Sequence, residues 1–177
     1  IGFGPNKFAT EAFLDEIAAR HGLDQLDLRL QLLKNTPRGQ AVVRAVAEMS
    51  DYRRARPGRG MGFSFTDYSG TMVAAVAEVS IDKSRGKVSV HDFWLAIDPG
   101  IAVQPDNVIA QSESSIIYGL GLALTERISI KDGAVQQMNL LDYGVPRIFD
   151  VPELHIKLMA TPNRPTGAGQ MATPVVA

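Results

Sequence analysis

The chain has 177 residues, 45% hydrophobic and 21% charged, which is enough to bury one substantial core. Its 18 basic and 19 acidic residues nearly cancel, at a net charge of −1, and this removes the electrostatic case for nucleic acid or an anionic membrane as partner. Without cysteine it cannot itself form disulfides, thiolate metal sites or iron–sulfur ligation, and His21, His91 and His155 stand too far apart to make a zinc set.

No signal-peptide pattern opens the chain and no apolar run reaches the ~18 residues of a membrane span. This leaves a cytoplasmic or periplasmic location equally open. Beginning at Ile1-Gly2-Phe3 and ending at Val175-Val176-Ala177, the sequence reads as cut at both ends.

The first third has helical periodicity. Phe13, Leu14, Ile17 and Ala18 make one apolar stripe within Phe8 to Ala19, with Glu11, Asp15 and Glu16 off it and Gly22 as the stop. Asp24 caps a second helix whose Leu26, Leu30 and Leu33 share a face, and Thr36-Pro37 opens a third leading into Ala41 to Met49. The basic run from Arg53 to Arg59 has no interleaved aromatics to stack on bases, so it reads as a solvated linker. The expected organisation is a helical segment (1–52), an Arg/Gly/Pro linker (53–62) and an α+β lobe (63–177), together one compact unit.

In that lobe Thr71 to Asp82 and Lys87 to Ala96, joined by Lys83-Ser84-Arg85-Gly86, predict a hairpin. A long helix of small residues follows from Pro105 to about Thr125, with Ile116, Leu120 and Ala123 on one side. Gly119 and Gly121 each cost a helix ~1 kcal/mol against alanine, so something should pack closely there. A second hairpin turns at Lys131-Asp132-Gly133, and Leu154 to Leu158 alternates as a last strand. The predicted class is α+β, with antiparallel hairpins around a long helix. Asp98 is expected to stabilise the turn before Pro105, and Phe93 and Trp94 to lie in the core.

Pro165-Thr166-Gly167-Ala168-Gly169-Gln170-Met171-Ala172-Thr173-Pro174 is the chain's most informative stretch. A Gly-x-Gly between prolines is most often a plain turn. Two glycines around one small residue also let backbone come close to a large ligand and aim position 170 at it.

Several separated stretches, in this order, resemble the molybdenum hydroxylases of the xanthine dehydrogenase and aldehyde oxidase superfamily, within it the isoquinoline 1-oxidoreductase β-subunit type. They are Gly2-Phe3-Gly4-Pro5-Asn6-Lys7-Phe8-Ala9 with Glu11, Phe13, Asp15 and Glu16; Ala74 to Ser80; Ala96-Ile97-Asp98-Pro99-Gly100 with Pro105-Asp106; Asp142-Tyr143 with Arg147, Pro152 and Glu153; and the glycine loop. Ala41 to Met49 runs almost directly into Arg59-Gly60-Met61-Gly62, without the cofactor-binding block that xanthine dehydrogenases insert there, as in the isoquinoline type. The resemblance covers the whole chain and matches the C-terminal part of that family's large subunit, with a cofactor-contacting arginine falling just before Ile1.

The resemblance implies a molybdopterin-binding fold, a molybdenum–pterin cofactor of the cytosine dinucleotide type, and iron–sulfur clusters on a separate small subunit. Remaining large-subunit segments and a small-molecule substrate complete the implied partners. It also implies hydroxylation of an electron-poor carbon, in an N-heterocycle or an aldehyde, with oxygen from water and a glutamate as proton acceptor. Gln170 stands at that glutamate's place, and an amide has no proton acceptor of use near neutral pH. Gln111, in Ala110-Gln111-Ser112-Glu113-Ser114-Ser115, matches a glutamine that contacts the molybdenum centre or the pterin, and Ser114 and Ser115 replace the family's small Gly-Gly or Gly-Ala pair. Gly167 and Gly169 carry over as backbone positions beside the cofactor. No side chain of this chain is expected to ligate the metal. The alternative is a non-catalytic structural or interaction domain that keeps the fold, which Gln170 favours; Gln111 and the glycine loop favour the enzyme.

Overall fold

The computed structural model describes residues 2–176; Ile1 and Ala177, the two ends that read as cut, lie outside them. Three helices come first, α1 (Phe3–His21), α2 (Gln25–Leu32) and α3 (Pro37–Met49). Strands β1 (Gly60–Tyr68), β2 (Thr71–Asp82) and β3 (Lys87–Asp98) follow, then helix α4 (Pro105–Leu124), the short pair β4 (Ile130–Lys131) and β5 (Ala134–Val135), and β6 (Glu153–Leu158).

The main sheet has the order β1-β2-β3-β6. Both of its faces are covered, which is why β2 reads as an almost unbroken apolar run and not as an alternation. Val42, Val43 and Val46 of α3 pack with Phe63, Val76 and Trp94 on one face. Ile116 and Leu120 of α4 pack with Val73, Phe93, Leu95 and Ile97 on the other. Phe93 and Trp94 are thus core residues, as their position on a strand predicts.

The β2–β3 and β4–β5 hairpins are antiparallel and form where the turn residues predict them, Asp132 and Gly133 both taking the positive φ of a tight hairpin turn. Strand β6 differs, joining β3 in parallel. Parallel neighbours need a long crossover, and the connection through α4 supplies it, so this pairing left no signature in β6 itself. Strand β1 begins at Gly60, inside the stretch that reads as a linker, and pairs with β2 along its whole length. The basic run is also less solvated than its composition suggests, because Arg56 binds Glu78 at 2.8 Å and the Ser50 carbonyl at 2.6 Å.

Helix α1 corrects the expected stripe. Phe13 is 62% exposed, while Glu11, expected off the stripe, is 4% exposed. Arg29 of α2 accounts for the inversion: its Nε donates to Glu11 at 2.9 Å, and the Phe65 N–H donates to the same carboxylate at 3.0 Å. A carboxylate is buried when it is paired and hydrogen-bonded. Asp24 caps α2 through the N–H groups of Leu26 and Asp27, whereas Thr36 makes no side-chain cap and the start of α3 rests on Pro37.

The two glycines of α4 do face close neighbours. A Cβ at Gly119 would lie 2.6 Å from Val176 Cγ2 and 3.0 Å from the Thr173 carbonyl, and one at Gly121 would meet the Glu126 carboxylate and Pro146. Gly119 lets the turn after the glycine loop press directly onto the helix.

Candidate functional site

The loop from Thr161 to Thr173 is held by side chains on three elements. The first anchor is Asp98, the last residue of β3 and 1% exposed. Its carboxylate accepts from Thr161 Oγ1 at 2.7 Å, from the Gly100 N–H at 2.9 Å and from Arg38 Nε of α3 at 2.7 Å. Gly100, at φ +78°, leaves no room for a side chain against the Asn163 and Arg164 carbonyls, and the Ile101 N–H donates to Asn163 at 2.9 Å. Further on, Thr166 bonds the Pro99 carbonyl through its N–H at 2.8 Å and through Oγ1 at 2.9 Å. The fully buried Thr71 of β2 lies 2.7 Å from Thr166 Oγ1 and donates to the Gly167 carbonyl.

Helix α4 takes over at Gly169. Gln111 Nε2 donates to the Gly169 carbonyl at 3.2 Å, and Ser115 Oγ donates to the same oxygen at 3.3 Å. Met171 and Ala172 then enter the core. The structure therefore brings Gln111 into contact with Gly169 beside the middle of α4, with Gly167 and Gln170 on the same loop, and all four are exposed.

Burial pushes the Asp98 carboxyl up, but its bonds from Arg38, Thr161 and Gly100 outweigh this, and the net shift is below the ordinary 3.8. The expected cost of Asp98→Asn is roughly 1.5–3 kcal/mol, the value of a charge-assisted bond, read as a lower urea midpoint. Because the folded pKa is depressed, this contribution is complete above the unfolded carboxylate's pKa and disappears as pH falls through the lower folded value. The gap between wild type and Asp98→Asn should therefore close in acid.

The donor set tests whether a molybdenum–pterin group fits. No group of three or more His, Cys, Asp or Glu among the described residues could hold a metal ion. A group that brings its own metal ligands needs none of these. It needs polar donors and open space, and both are present. The N–H groups of Gly167, Ala168, Gly169 and Gln170 donate to no described residue. A Cβ at Gly167 would meet only the Met171 methyl at 3.7 Å, and one at Gly169 only Gln111 Nε2 at 3.9 Å, so this side of the loop is clear. Neutral amides around an uncrowded backbone suit an oxygen-rich, anionic ligand. Along the next face of α4 runs a cleft of about 500 Å³ lined by Ala110, Ser114, Ile117, Tyr118 and Pro146 among others.

Sequence reasoning missed Thr71, Arg38 and the inward role of Ser115. Threonine at the first position of a strand carries no signal of its own, and Arg38 reads only as a surface residue of α3. Ser115, 4% exposed, turns its hydroxyl to Gly169, so what replaces the family's small residue is tucked under the loop.

Fold and loop together define the class of protein, an α+β domain whose glycine loop leaves its backbone N–H groups open beside α4. The chain belongs to the molybdopterin cofactor-binding domain family, whose model matches residues 14–152. It is 42% identical to isoquinoline 1-oxidoreductase subunit beta of Brevundimonas diminuta over 97% of this chain and 22% of that protein. With the membrane-bound aldehyde dehydrogenase [pyrroloquinoline-quinone] of Gluconacetobacter polyoxogenes it shares 30% identity over 98% of this chain and 25% of that protein. Among solved structures, quinoline 2-oxidoreductase from Pseudomonas putida 86 superposes on 60% of this chain and 14% of that one, with a TM-score of 0.57 at 28% identity. The chain thus spans about a quarter or less of the length of these relatives.

Proposed function

We propose that this chain is the C-terminal portion of a molybdenum-cofactor oxidoreductase subunit that hydroxylates N-heterocycles or aldehydes with oxygen from water, at a rate lowered by Gln170. The contact that carries this reading is Gln111 on the Gly169 carbonyl, 3.2 Å, which joins α4 and the glycine loop into one exposed surface. The names of the relatives support both substrate classes, a nitrogen heterocycle for one and an aldehyde for the other.

When bound, a molybdenum–pterin group of the cytosine dinucleotide type supplies the oxidation and passes electrons to iron–sulfur clusters on a small partner subunit. The chain's own residues bind and orient. The loop N–H groups from Gly167 to Gln170 and the free amide hydrogen of Gln111 donate to the cofactor's oxygens. Gln170, exposed at the tip, hydrogen-bonds to reacting groups without accepting a proton, which leaves the proton-transfer role unfilled.

Residues 1–52 and 63–177 are taken as one unit joined through 53–62, supported by the packing of α3 on β2 and β3. The remaining large-subunit segments would cover side chains such as Met138, Leu141, Ile148 and Phe149, each at least 80% exposed. The test is anaerobic addition of an N-heterocycle or an aldehyde to the chain reassembled with those segments, cofactor and small subunit. Slow bleaching of the iron–sulfur absorbance is the expected result. A cofactor-loaded assembly that never bleaches would favour the non-catalytic reading, to which Gln170 already points.

A further inference from the structure

Two donors of α4 converge on one acceptor. Gln111 Nε2 and Ser115 Oγ both donate to the Gly169 carbonyl, at 3.2 and 3.3 Å. Gln111 is exposed and can exchange this bond for water, whereas Ser115 is 4% exposed and has no such alternative. The same serine also receives the far side of the loop, because Thr173 Oγ1 donates to the Ser115 carbonyl at 3.2 Å. Ser115 therefore grips the loop on both sides of Gln170.

We infer that Ser115 is a positioning residue for Gln170, acting through the Gly169 carbonyl. The peptide plane between Gly169 and Gln170 is rigid, with its C=O and N–H pointing opposite ways. Holding the carbonyl against α4 therefore turns the Gln170 N–H outward to the open side. Glycine is the residue with the widest backbone freedom, so without the clamp position 170 would be held only by the exchangeable Gln111 bond and by the Thr173 N–H on the Gln170 carbonyl at 3.3 Å. The serine that stands in place of the family's glycine or alanine is thus a latch for the loop. What the positioned residue then does rests on the function proposed above.

The experiment is nitrogen-15 relaxation of this chain, segmentally labelled within the reassembled subunit, wild type against Ser115→Ala, with Ser112→Ala as control. Ser112 is an equally buried serine of the same helix, but its hydroxyl bonds the Val108 carbonyl within α4 at 2.8 Å and not the loop. In the wild type and in Ser112→Ala, the Gly169 and Gln170 amides should keep order parameters near 0.85, and in Ser115→Ala they should fall below about 0.6. Amides of β2 and β3 should stay ordered in all three. A loop that remains ordered in Ser115→Ala overturns the inference. So does loosening that appears equally in Ser112→Ala, or that spreads into β2 and β3, since Ser115 would then be a packing residue only. If the assembly never holds molybdenum the proposed function fails while the relaxation result stands, and an ordered loop in a molybdenum-loaded Ser115→Ala assembly does the reverse.

Discussion

Replacing Gln170 with Glu should raise hydroxylation by about 10²–10⁴, the usual value of general-base assistance, in the assembly that holds its cofactor. The side chains differ by one atom type, so the backbone path from Asp98 through Thr166 to Gly169 is retained and only the proton acceptor is added. Gln170→Ala, which adds no acceptor, should give no such gain. The new carboxylate acts only when ionised, so the gain should be full near neutral pH and fall as the pH drops through the carboxyl's pKa. An unchanged rate in a protein shown to contain molybdenum would place the base elsewhere.

The largest effect on stability is expected at Glu11. Its carboxylate holds Arg29 at 2.9 Å, the Phe65 N–H at 3.0 Å and Lys7 at 3.6 Å. Arg29 is 2% exposed, and Asp15 at 2.8 Å is its other partner. Glu11→Ala leaves a buried guanidinium short of a partner and a buried N–H without an acceptor, for a loss of about 3–5 kcal/mol. At ~2–4 °C per kcal/mol for a chain of this size, Tm should fall by roughly 10 °C. Changing Glu11→Leu, Arg29→Met and Asp15→Leu together should recover part of the loss, because the charges then leave together while the Phe65 N–H still lacks its acceptor. A fall of only a degree or two in Glu11→Ala would mean that the cluster is hydrated and does not clamp α1 to α2 and β1.

What could be read from residues alone divides along physical lines. Helices α2 and α4, the β2–β3 hairpin and the Asp132-Gly133 turn carry local signals, a cap, a period or a positive-φ pair, and all are present. The buried face of α1 was illegible because Glu11 is inside only by virtue of Arg29, eighteen positions along the chain. Strand β1 was hidden by the glycines and arginines at its start, and the parallel pairing of β6 depends on a crossover that no local pattern records. The closeness of Gln111 to the loop could be anticipated from the family resemblance. The clamp by Ser115 could not, since a serine on a helix reads equally well as a surface residue.

Molybdenum analysis of the assembled subunit, with and without Gly169→Leu, tests most directly whether this chain forms one wall of a molybdenum–pterin site. Gly169 does not need a positive φ, and the nearest atom to an added Cβ is 3.9 Å away, so leucine there should leave the fold intact while filling the space beside the loop. The expected result is stoichiometric molybdenum in the unsubstituted assembly and a large loss in a Gly169→Leu assembly of unchanged circular dichroism. Full molybdenum in Gly169→Leu, or none in the unsubstituted assembly, would contradict it.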